Sequence, residues 1–96
     1  MRAVEMITVK NIADSLEWQV NSLEPGLSLP LSLNLMMMQF PVTVALKGQS
    51  MTVSLKNTVV TRQTRWMLPT LTLDPAENYV ASLHGVDVII ETKWHS

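Results

Sequence analysis

Val42-Thr43-Val44-Ala45-Leu46, then Lys47-Gly48-Gln49-Ser50, then Met51-Thr52-Val53-Ser54-Leu55: the reading of this stretch decides how the rest of the chain is read. Aliphatic and small polar residues alternate on both sides of a polar tetrad, and successive side chains of a strand point to opposite faces. Folding the chain at Lys47–Ser50 sets Leu46 opposite Met51, Val44 opposite Val53 and Val42 opposite Leu55. Thr43 with Ser54 and Ala45 with Thr52 then make the second, mostly polar face. A short loop containing glycine is an ordinary hairpin connection, so the spacing predicts two antiparallel strands joined at the tetrad. A slip of one residue would turn every aliphatic group toward water, which pins the register.

Upstream, Leu27, Leu29, Leu31, Leu33 and Leu35 alternate with Ser28, Pro30, Ser32 and Asn34. That is strand periodicity, and Pro30, which has no N–H to donate, places the strand at a sheet edge or turns its Pro30 side outward. Met36 to Phe40 is apolar without alternation and reads as a turn beneath the sheet, its thioethers suited to irregular gaps. Further back, Ile12, Leu16, Val20 and Leu23 form one helical stripe, which Asn11 caps and Pro25-Gly26 ends. Trp18 points away from that stripe. The β-branched run Val4–Val9 predicts a first strand before this helix.

Downstream, Asn57-Thr58 interrupts the alternation, Val59–Trp66 resumes as an extended segment, and Leu68–Leu73 is a second short extended piece. Asp74-Pro75-Ala76-Glu77 has the residues of a helix start, with Pro75 at the first helical position. A second helix is therefore expected from there to His84, stopped at Gly85. Val86–Thr92 closes the chain as a strand. These elements predict an α+β fold over residues 1–96 as one domain. Its mainly antiparallel sheet of about four to six strands carries two short helices on one face, in the order β-α-β-β-β-(β)-α-β.

Composition narrows the chemistry. Cysteine is absent, which removes disulfides, thiolate nucleophiles and Cys-based zinc sites together. The two histidines, His84 and His95, form no metal-binding pair, the serines sit in no nucleophile elbow, and the three glycines do not cluster as a phosphate loop. The expectation is a protein that is not an enzyme and uses no metal or cofactor. The charge-free run Pro25–Leu46 is broken by Pro30, Pro41, Asn34 and Gln39, so no membrane span is expected. With no secretory signal in its opening residues, the chain is expected to be cytoplasmic.

What stands out is how little charge there is. Charged residues (Asp, Glu, Lys and Arg) make up 16% of the chain, against roughly 25% in a typical soluble domain, and methionine occurs seven times. A small domain has much surface to cover, and apolar surface left outside points to a partner. The leading expectation is a small interaction or assembly protein: a homo-oligomer, adaptor, inhibitor or subunit of something larger. Its contact surface would be built from Trp18, Leu29, Leu31, Leu33 and Met37. The alternative is a nucleic-acid-binding module, or an acidic-partner site, in the acid-free middle of the chain. There Lys56, Arg62 and Arg65 would meet phosphate while Trp66 stacks on a base. The plainer reading buries Trp66 and pairs the two arginines with Asp87 or Glu91.

Overall fold

The computed structural model describes residues 2–31, 41–74 and 77–92. Along them run one helix and five strands: α1 (Arg2–Asn21), β1 (Ser28–Leu31), β2 (Thr43–Leu55), β3 (Thr58–Leu73), β4 (Tyr79–His84) and β5 (Asp87–Thr92). The strands make a single mixed sheet in the order β1-β4-β5-β3-β2. β1/β4, β4/β5 and β2/β3 are antiparallel, and β3/β5 meet in parallel at Met67 and Asp87. The fold is α+β, as expected, with β-hairpins in it. The mixed sheet and the single helix among the described residues correct the two-helix, mainly antiparallel form of that expectation.

The opening stretch is the first correction. Val42 to Leu55 is not a hairpin: β2 runs through the Lys47–Ser50 tetrad, and the chain reverses later at Lys56-Asn57. Its partners therefore come from β3, with Val44 opposite Leu73, Leu46 opposite Leu71 and Val53 opposite Val60. The aliphatic face survives, because Val42, Val44, Leu46, Met51, Val53 and Leu55 are all buried. Leu46 and Met51 would face opposite ways in an unbroken strand. The pairing jumps from Leu46–Leu71 to Gly48–Leu68 and then to Ser50–Gln63, and this irregularity restores the common face. Gly48, with φ 58°, supplies the left-handed backbone conformation at the break. There β3 turns toward β5, where the Met67 N–H donates to the Val86 carbonyl at 2.8 Å.

The second correction is Val4–Val9, which is the first half of α1 and not a strand. Thr8 and Val9 are buried together with Ile12, Ala13, Leu16 and Val20, so the stripe read from Ile12 onward extends backward at the same helical spacing. Packing against β2 and β3 overrides the β-propensity of the run. Asn11 accordingly lies inside the helix, not at its start.

The third correction is the second helix. Tyr79, Ala81 and Leu83 are buried while Val80 and Ser82 are only half-covered, a period of two, and the segment is β4. Gly85, with φ 65°, closes the β4–β5 hairpin and does not stop a helix. Pro75 and Ala76 lie outside the described residues. Glu77 N–H still bonds to the Asp74 carbonyl at 3.0 Å, and the Tyr79 hydroxyl accepts from the Asp74 N–H at 2.8 Å. The local turn signal is real, but it leads into a strand. The two extended pieces expected over Val59–Trp66 and Leu68–Leu73 are one continuous strand, β3.

The core lies between α1 and the sheet face that carries Val44, Leu46, Met51, Val53, Leu55, Ala81, Leu83 and Val88. Burying each such side chain is worth roughly 1.5–3 kcal/mol.

Candidate functional site

α1 ends where its last carbonyls are taken up locally. Both the N–H and the hydroxyl of Ser22 donate to the Trp18 carbonyl, at 3.0 and 2.6 Å, and Leu23 N–H reaches the Val20 carbonyl. The chain then returns through Gly26, with φ 86°, into β1, so the last two turns of the helix stand beside the edge strand. A groove of about 420 Å³ lies between them. Trp18 forms one wall and Leu29, Pro30 and Leu31 the other, with Leu23 and the small polar Ser15, Gln19 and Ser22 completing it. None of these side chains ionises. Gln19 Nε2 donates to Ser15 Oγ at 3.2 Å, so the polar groups of the helix wall engage one another.

Trp18 is 71% exposed, the most exposed large apolar side chain among the described residues, and Leu29 facing it is 38% exposed. β1 is an edge strand, as Pro30 required, and Leu31 closes the groove floor as a buried residue. The structure thus brings Trp18, Leu29 and Leu31 together. Leu33 and Met37, expected on the same surface, lie outside the described residues, as does the Met36–Phe40 turn. The sequence reading missed Ser15, Gln19 and Ser22. They were findable, because 15, 18, 19 and 22 follow the i, i+3, i+4, i+7 rule of one helix face around the tryptophan.

The basic segment is arranged differently. Lys56 Nζ lies 3.5 Å from Glu5 Oε1, and the Thr58 hydroxyl donates to the other oxygen of that carboxylate at 3.4 Å. Arg62 Nε sits 3.2 Å from Asp14 and 3.7 Å from Glu17, one guanidinium between two acids of α1. The arginine that was expected to pair with Asp87 or Glu91 on β5 instead reaches the helix, which packs on β3. The Arg65 guanidinium stacks over the Trp66 ring at 4.7 Å, while the Arg65 backbone N–H donates to Asn21 Oδ1 at 2.8 Å. Trp66 is half-buried against the core, and its Nε1 is buried without a hydrogen-bond partner among the described residues.

Among the described residues, no three His, Asp or Glu side chains gather at metal-ligand spacing. His84 ends β4, not a helix, and shares a 3.3 Å contact with Ser82 Oγ. No helix among the described residues is long and apolar enough to cross a membrane. Comparison with protein-family models, with curated proteins and with solved structures returned no match for this chain.

Proposed function

We propose that this is a small non-enzymatic interaction protein that docks a protein partner in the groove between α1 and β1. The observation that carries the reading is Trp18, 71% exposed on the rim of a 420 Å³ groove with no ionisable group in its lining. A large aromatic held in water beside an apolar slot is the usual composition of an interface centre, where tryptophan is over-represented and charge is depleted. The occupant that suits it is an uncharged apolar side chain or short segment of another protein. A charged group would be stripped of water there and meet no counter-charge.

The nucleic-acid reading receives less support. Lys56 and Arg62 lie against Glu5, Asp14 and Glu17, so a phosphate would have to displace carboxylates already in place. The test is affinity capture from the native host with the wild-type chain, Trp18→Ala and Leu29→Lys. One protein partner held by the wild type and lost with both variants is expected. Identical captured sets for all three chains would sink the proposal.

A further inference from the structure

The two edges of the sheet are protected very differently. β1 has four residues and contains Pro30, both devices that blunt a strand edge. β2 has 13 residues, contains no proline, and pairs only with β3 among the described residues. In an antiparallel strand, alternate residues turn their N–H and C=O groups away from the neighbour. Along β2 those groups are a template for another strand. Beyond the break at Gly48, the pairing with β3 is uninterrupted from Ser50–Gln63 to Leu55–Thr58, so this half of the edge is regular.

We infer that this edge takes the β2 strand of a second copy, antiparallel, across a two-fold axis at Thr52. Three features select a copy of the same chain. First, Gln49 to Leu55 carries no charge, and Thr52 is its middle residue. Pairing the run with itself opposes no like charges, because Lys47 comes to face Asn57 and Lys56 comes to face Gly48. Second, Thr52 Oγ1 already lies 3.3 Å from Thr61 Oγ1 on the face opposite α1. Two-fold pairing extends this hydroxyl ladder as Thr61–Thr52–Thr52–Thr61, a favourable cross-strand combination. Third, Met51, Val53 and Leu55 are fully covered within one chain. The incoming strand need bring only main chain and small polar side chains, which is what β2 offers. The interface is isologous and closes at two copies. It is separate from the groove and does not rest on it.

The experiment is sedimentation of the full chain over about a hundredfold range of concentration, since a self-associating chain changes mass with concentration. The weight-average mass is expected to rise toward twice the chain mass. Thr52→Lys, which sets two lysines face to face, is expected to hold it at one chain mass with an unchanged circular dichroism spectrum. Because the chain has no cysteine, Thr52→Cys gives a clean second measurement. Residues paired across antiparallel strands have Cα atoms about 4.5–5.5 Å apart, inside the disulfide range, so mild oxidation should lock a covalent dimer. Thr61→Cys is the control, because it lies about three strand spacings of roughly 4.8 Å from its two-fold mate and should not cross-link. Two outcomes overturn the inference: a single-chain mass throughout, with positions 52 and 61 cross-linking equally, or a dimer that persists in Thr52→Lys. A dimer lost with Trp18→Ala but kept with Thr52→Lys also overturns it and places the second copy in the groove.

Discussion

The two flanks of α1 are finished in opposite ways. Toward β3, Arg62 bridges Asp14 and Glu17 while Lys56 and Thr58 hold Glu5, so that flank is laced to the sheet by charge. Toward β1, the flank carries Trp18, Ser15, Gln19 and Ser22 over an open slot, with no charge at all. A helix seated by its buried stripe does not need ion pairs on both sides. Charge ties the helix to the sheet on one flank and is missing from the slot on the other.

The largest effect should come from removing what the two flanks share. Ile12 is fully buried beneath the helix, and Ile12→Ala should cost about 2–5 kcal/mol, lowering the urea midpoint and loosening both sides together. Gly48→Ala sharpens the view of the sheet under the charged flank. A Cβ there meets nothing within 4 Å, so its cost of about 1 kcal/mol would come from the left-handed backbone alone. Arg62→Ala tests the charged flank. These ion pairs are partly exposed, so the loss should be at most about 1 kcal/mol and should shrink in high salt. Trp18→Ala tests the open flank and should change the unfolding free energy least, by within about 0.5 kcal/mol, while partner capture is lost. A large loss of stability in that variant would mean that the tryptophan holds the fold together and is not reserved for a partner.

How much of this was legible depends on what each residue type can encode. The aliphatic face of Val42–Leu55 was readable because burial leaves an alternating trace. The connection was not, because a turn at Lys47–Ser50 and a break at Gly48 reverse the alternation equally well. Only the later partners, Val60 and Leu71, distinguish them. Pro30 named its edge because a missing N–H is a local fact. Val4–Val9 misled because the strands it packs against lie far away in sequence, whereas Tyr79–Leu83 misled because the Asp74–Glu77 turn has the residues of a helix start and Gly85 serves a hairpin as well as a helix stop. Trp18 was identified as off the buried stripe by angle alone, whereas the slot beside it depends on β1 crossing to a strand near the other end of the chain.

That last pairing has a kinetic consequence. Ser28 to Leu31 are matched to residues 79 to 82, so β1 has nowhere to seat until the C-terminal hairpin exists. On the ribosome, α1 and the β2–β3 hairpin can assemble first, while the four residues of β1, Pro30 among them, wait. A strand that short, docked late and held on one side, should also detach early, and its amides should exchange with solvent sooner than those of β2 and β3. The slot would then exist only intermittently, and a ligand that fills it would lengthen its lifetime.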